Sequence, residues 1–395
     1  MTDRAVRPHE SVPFWRDVRI IAILLQVAFV IVVGLLFAYL ISNVRTNLAQ
    51  SNLSIGTDFL SQPAGIAISE GPKYASTDSY ARAFFVGIAN TLRIAIIGIV
   101  LATLLGIALG IARLSNNFLL RNVTYVYTEL IRNTPLLLQL FLWAGLALLF
   151  PRPQEALNLG NFAFLSSRGI FLAWPRATAS IGAWTPWLIA ALVAAVAVYF
   201  WRKRQLAQQD RPGAVLPIAL AVAAGVALLG FLVTALTSGA PLTMSFPQLD
   251  GFNFSGGTQL TTPFFALLLG LVLYTAAFIG EIIRAGIQAV SKGQREASTA
   301  LGLTNSQMLR LIILPQALRV IIPPLTNQYL NLTKNSSLAI AVQYPDLFLI
   351  GTTIINQAGQ TIVVFGMIMA TYLFFSLVTS LLLNLYNRRI QLVER

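Results

Sequence analysis

The chain has 395 residues, 56% of them hydrophobic and only 10% charged, against the roughly 25% charge usual in a soluble domain. It has no cysteine and a single histidine, His9, which excludes disulfides, thiolate catalysis and a bis-histidine haem or His-rich metal centre. A formal charge of +13 on so apolar a chain points to basic loops on one side of a membrane, with no nucleic acid as partner.

The apolar runs predict an all-α polytopic membrane protein. Eight stretches reach the ~20 residues that a helix needs to cross the hydrocarbon. They lie at about 20–42, 86–112, 122–150, 178–201, 213–236, 262–290, 322–345 and 362–387. The first is too long for a signal-peptide core and reads as a retained span. With the N-terminus inside, the inner segments collect Arg4, Arg7, Arg16, Arg19, Arg113, Arg121, Arg132, Arg202, Lys203, Arg204, Arg211, Arg284, Lys292, Arg295, Arg310, Arg319, Arg388, Arg389 and Arg395. That bias places both termini in the cytoplasm. The outer loops 43–85, 151–177 and 237–261 are rich in Gly, Ser, Pro and Asn and are too short to form a soluble binding domain.

The segment SKGQREASTALGLTNSQMLRLIILP, Ser291 to Pro315, falls on the inner side. Ser291 and Gln294 are spaced as a capping box, Gly302 suits a left-handed helix end, and Thr304 and Gln307 repeat the box. Pro315 is expected to interrupt or kink the helix that follows. The chain has no GxxxxGK[ST] phosphate loop, so it has no such site for ATP of its own.

This segment, with Glu296-Ala297, Gly302 and Leu314-Pro315, resembles the cytoplasmic EAA loop by which ABC-importer permeases dock on their ATPase. Four further blocks resemble permeases of the histidine/glutamine group: GIANTL at Gly87 to Leu92, YTELIRNTPLLLQLFLWAG at Tyr127 to Gly145, FIGEIIRAGIQAV at Phe278 to Val290, and KNSSL at Lys334 to Leu338. Asn133, Gly280 and Ala285 depart from the usual residues. The likeness covers about 86–145 and 262–387. The long layout, with GTDFLSQPAGIAIS at Gly56 to Ser69, resembles the AapQ/BztB-type branch of general L-amino-acid importers.

The resemblance implies a type I ABC-importer permease fold with a five-helix core. Residues 1–85 hold a tail, the first span and an outer loop. Core parts 86–150 and 262–387 flank an insertion at 151–261 with two extra spans, and 388–395 form a second tail. It also implies a bacterial inner-membrane subunit that imports polar L-amino acids and is not itself an enzyme. Its implied partners are a homologous permease subunit in a heterodimer, two ATPase subunits holding ATP and Mg, a periplasmic binding protein and membrane lipid. Coupling would pass through Glu296, Ala297, Gly302, Leu314 and Pro315. The alternative is a stand-alone secondary transporter driven by an ion gradient, which would equally explain charge inside the membrane.

Asn327, Gln328, Asn331, Lys334 and Asn335 share one face of span seven at 100° per residue, so that face meets other helices or a wet path. Pro323 and Pro324 fit its first turn. Counted from Pro323, Lys334 lies about 16 Å deep, and Glu281 lies about 14 Å before Val290. Both are thus expected near mid-membrane, where a structural or gating pair between them is the favoured reading. Direct contact with an amino acid's carboxylate and ammonium is the sharper one, and Glu281 with Arg284 is a third. Glu129 and Arg132 are spaced as a pair at the start of span three. Gln139, two turns on, would either line the path or hydrogen-bond between helices.

Overall fold

The computed structural model describes residues 18–50, 56–209 and 213–390. Arg4, Arg7, Arg16, Arg211 and Arg395, on which part of the topology rests, and His9 lie outside the described residues.

The described chain is dominated by helices, in the order α1 (Val18–Gln50), α2 (Tyr80–Arg113), α3 (Phe118–Arg132), α4 (Leu136–Leu148), α5 (Ile181–Gln208), α6 (Leu216–Ser238), α7 (Thr262–Gln288), α8 (Lys292–Ala300), α9 (Asn305–Met308), α10 (Leu314–Asn335), α11 (Leu347–Ala358) and α12 (Thr361–Ile390). Seven helical runs are long and apolar enough to span a membrane, or eight if the bent pair α3–α4 counts as one.

Span three is not the straight helix expected over 122–150. α3 and α4 meet at 107°. Pro135 drives Thr134 out of the helical region, and the Asn133 amide closes the last turn of α3 on Glu129 O at 3.1 Å. At 1.5 Å per residue the two pieces are about 22 and 20 Å long, each short of the ~30 Å hydrocarbon.

Span seven also begins earlier than expected. The helical run extends from Asn305 to Val342 through a π-turn at Leu309–Ile313. Pro315 directly follows the π-turn and removes one donor from the ladder of this run without ending it. Pro323 and Pro324 lie inside α10, not in an opening turn. They leave the carbonyls of Arg319 and Val320 without helical donors. After a 3₁₀ stretch, Ser336–Val342, the chain breaks and resumes as α11, a short apolar helix with no counterpart among the predicted spans.

α2 and α7 run parallel and form the centre of the core. Gly98 faces Leu268 and Leu332, Gly106 faces Ile279, and Gly110 faces Ile283. A Cβ on Gly106 would lie 2.5 Å from Ile279, so the two backbones are as close as side chains permit. α10, α4 and α3 pack around α7, while α11 fills the outer end of α2.

The outer segments 151–180 and 239–261 are not plain loops. They carry eight short strands: β1 (Leu157–Leu159), β2 (Ala163–Ser166), β3 (Gly169–Leu172), β4 (Trp174–Ala177), β5 (Leu242–Ser245), β6 (Gln248–Asp250), β7 (Asn253–Ser255) and β8 (Thr258–Thr261). An antiparallel sheet runs β1-β2-β3-β8, with pairs β4-β5 and β6-β7 beside it. Phe254 stacks between Phe164 and Phe171, with ring centroids at 4.8 and 4.7 Å. This cap carries α5 and α6, which pack chiefly on each other. Trp187 lies over Gly230, and Trp184 Nε1 donates to Ala227 O at 3.0 Å. α1 is uncovered by the rest of the described residues.

Candidate coupling loop and translocation face

The inner loop is built from local signals. α8 ends in a Schellman motif: Leu303 N–H donates to Ser298 O at 3.1 Å and Gly302 N–H to Thr299 O at 2.9 Å. Gly302 has φ +74°, which a side-chain-bearing residue adopts only with strain, although open space surrounds it. The Thr304–Gln307 capping box forms. The box expected at Ser291 does not, because the Ser291 side chain makes no cap bond. Arg295 fastens α8 to the end of α7 by donating to Ile287 O at 2.8 Å. Glu296 pairs with Lys292 at 3.3 Å in open solvent. Glu296, Ala297, Gly302, Leu314 and Pro315 are all exposed. So is Leu301, at 80%, which the sequence reading passed over.

Glu281 does not pair with Lys334. Its carboxylate accepts from Arg113 Nη1 at 2.8 Å and from Arg284 Nε at 3.0 Å. The Arg113 guanidinium also lies 5.0 Å over the Tyr125 ring of α3. This network joins the inner ends of α2, α3 and α7. The expected equal depths of Glu281 and Lys334 fail because α10 does not start at Pro323. With α2 as a common ruler, Leu332 lies at Gly98, whereas Ile279 and Ile283 lie at Gly106 and Gly110. The two levels are about 12–18 Å apart.

On α10, Asn327, Asn331 and Lys334 are exposed, and Gln328 and Asn335 half-buried. Among the described residues Lys334 has no ion-pair partner. It lines a cavity of about 440 Å³ with Ser337, Phe348, Met369 and Tyr372, between α10, α11 and α12. The helix break above it is held by the GIANTL segment. Asn90 Nδ2 donates to Pro345 O at 2.8 Å, and Thr91 Oγ1 accepts from Leu347 N–H at 3.0 Å. Gly87 leaves room for the Leu347 backbone. Asp346 caps α11 and accepts from the Tyr372 hydroxyl at 3.3 Å. These roles were illegible in the sequence because the break itself was not foreseen.

Gln139, a path candidate, is 4% exposed. Its amide donates to Ile131 O at 2.9 Å and Thr134 O at 3.0 Å, stapling the α3–α4 bend. Glu129 and Arg132 do pair, at 3.9 Å.

Outside the membrane, buried Glu70 clasps the first outer loop to the core. It accepts from the Thr261 hydroxyl at the start of α7 and lies 3.5 Å from Arg93. Burial outweighs Arg93 and pushes its carboxyl up to about 7. A carboxyl raised on folding binds more protons folded than unfolded, so its contribution is lost as pH rises from about 4.5 through about 7. Hydrogen exchange of the loop Gly56–Ser79 should show local stability falling by roughly 3 kcal/mol across that window. Glu70→Gln should flatten the dependence.

Residues 98–392 match the family described as binding-protein-dependent transport system inner membrane component. The chain belongs to that family. The permease is 44% identical over 375 residues to the putative amino-acid ABC transporter permease protein YhdX of Escherichia coli K12, covering 94% of each chain. It is 44% identical over 368 residues to the general L-amino acid transport system permease protein AapQ of Rhizobium johnstonii, covering 93% of this chain and 91% of that one. With the glutamate/glutamine/aspartate/asparagine transport system permease protein BztB of Rhodobacter capsulatus the identity is 38% over 415 residues, 96% of each chain. The permease is thus a membrane subunit of an ABC amino-acid importer. It works in a complex with an ATPase and a binding protein and is not an enzyme.

Proposed function

We propose that this subunit pairs with a different, homologous permease chain and imports polar L-amino acids across a bacterial inner membrane, with both termini cytoplasmic. A periplasmic binding protein delivers substrate, and two ATPase subunits hold ATP and Mg, since this chain carries no phosphate loop. The Ser291–Pro315 loop meets the ATPase through exposed Leu301, Glu296, Ala297, Leu314 and Pro315, and Gly302 sets its shape. The names of AapQ and BztB support the substrate class.

The observation that carries the reading is Lys334, without an ion-pair partner among the described residues, in an exposed polar stripe. Asn327, Asn331 and Lys334 cannot face lipid at that depth. A second permease subunit across a wet path satisfies them. With Glu281 committed to arginines, Lys334 is free to receive the substrate's carboxylate, with Asn335 beside it. Lys334→Met removes a charge-assisted bond of about 1.5–3 kcal/mol, so uptake should fall about tenfold or more while the complex still assembles.

The test is uptake of labelled glutamate and glutamine by vesicles containing the whole importer. Uptake that needs no ATP, or is unchanged in Lys334→Met, would overturn the proposal. In the same vesicles a cysteine at Ser306 should label from the cytoplasmic side and one at Ser255 from the outer side.

A further inference from the structure

α10 is anchored as two halves. Its inner half lies on α7, where Ile321 and the Ala317 carbonyl crowd the open side of Gly286. Its outer half lies on α2, where Leu332 faces Gly98 and Tyr329 packs into the same cluster. Between the halves stand Pro323 and Pro324, which leave the Arg319 and Val320 carbonyls without helical donors. The backbone ladder that would carry the orientation of one half to the other is weakest there.

A single polar contact fixes the outer half. Tyr329 Oη lies 2.9 Å from Thr103 Oγ1 of α2. Thr103 already donates its proton to Ile99 O at 2.7 Å, so the tyrosine is the donor. Among the described residues this is the only hydrogen bond that an α10 side chain makes to a distant part of the chain. Gln316, Thr326 and Thr333 bond to carbonyls one turn back. The apolar contact at Leu332 is non-directional and resists rotation poorly. Asn327, Asn331 and Lys334 lie about 140–160° around the helix from Tyr329. Pinning the tyrosine therefore sets where the polar stripe points.

We propose that Tyr329, acting through Thr103, is the positioning residue that keeps the α10 stripe turned to the translocation path across a joint at Pro323–Pro324. This rests on the reading that the stripe faces that path. Without the hydroxyl, the outer half samples rotated states in which Lys334 leaves the path. Apparent affinity for substrate then falls with the fraction of correctly turned molecules.

Two reporters read the rotation in the whole importer in nanodiscs: Asn331→Cys on the stripe, and Thr333→Cys at a position 5% exposed on the buried face. The native chain has no cysteine, so a charged thiol reagent and mass spectrometry of this subunit score each site. Tyr329→Phe should slow labelling of the Asn331 reporter and speed that of the Thr333 reporter. It should also raise the KM of glutamine uptake about two- to fivefold, the weight of one hydrogen bond, with the maximal rate unchanged. Thr103→Ser, which keeps the acceptor, should match the native chain. In Pro323→Ala combined with Pro324→Ala the two carbonyls regain donors, and Tyr329→Phe should no longer alter either labelling rate. Faster labelling at both reporters would mark simple loosening and overturn the proposal. So would unchanged rates, or an effect of Tyr329→Phe that survives the alanine pair. If the Asn331 reporter does not label with Tyr329 intact, the stripe is dry, and the reading beneath the proposal falls with it.

Discussion

Glu281→Gln should destabilise the permease by roughly 3 kcal/mol, as expected when a largely buried ion pair loses one partner. The Arg113 side chain is only 10% exposed and the Glu281 side chain 23%, so the stranded guanidinium is poorly hydrated. The figure sits at the low end of the range for buried pairs because water still reaches Glu281. Arg113→Met combined with Glu281→Gln should cost less than the sum of the two single changes, since the double change leaves no orphan at that contact. Arg284 keeps some demand on position 281 and prevents full recovery. Lys334→Met combined with Glu281→Gln should instead be additive, because sites this far apart with no shared partner rarely couple by more than about 0.5 kcal/mol. Thermal unfolding of the purified importer measures all of these. Strong coupling between Glu281 and Lys334 would contradict the depth difference described above.

Gly302→Val should leave the subunit inserted yet lower uptake about tenfold. No clash is involved, since a Cβ there meets open space. The penalty is the left-handed backbone at φ +74°, which costs about 1–2 kcal/mol for an ordinary residue and more for a β-branched one. Relieving it unwinds the Schellman motif and turns α8 away from α9, so the exposed Leu301 and Glu296 no longer present one surface. ATP hydrolysis by the complex should persist without matching uptake. Gly302→Asn, which tolerates that backbone, should retain most uptake. Equal uptake by Val and wild type would reduce the loop to a linker.

What the sequence disclosed was local. The helix end at Gly302, the box at Thr304 and the apolar lengths of α2, α7 and α12 follow from neighbours a turn apart, and the structure reproduces them. The missed features depend on chain segments meeting. Arg113 and Glu281 are 168 positions apart, so no local spacing links them, and the matched depths estimated for Glu281 and Lys334 favoured the wrong partner; the third reading, Arg284 one turn away, does form. Pro135 was in plain view, but the apolar run after it suggested a straight span. α11 is apolar and only 12 residues long, and it went unseen because Pro323 was taken as a helix start. The strands are three or four residues each, and their signal is the aromatic set Phe164, Phe171 and Phe254, which converges only after folding.

The pairing of β3 with β8 bears on how such a chain could have grown. Leu172 faces Thr258 across the ladder, and Gly169 faces Thr261 immediately before α7. Everything from residue 173 to 257, including α5 and α6, leaves and re-enters the molecule between two positions that are cross-strand neighbours, about 5 Å apart. In topological terms the whole excursion is an enlarged hairpin turn. A cassette with adjoining ends can be acquired, exchanged or discarded without shifting the helices on either side. Selection on α5 and α6 can therefore proceed separately from selection on the part of the subunit that carries the α10 stripe and the inner loop.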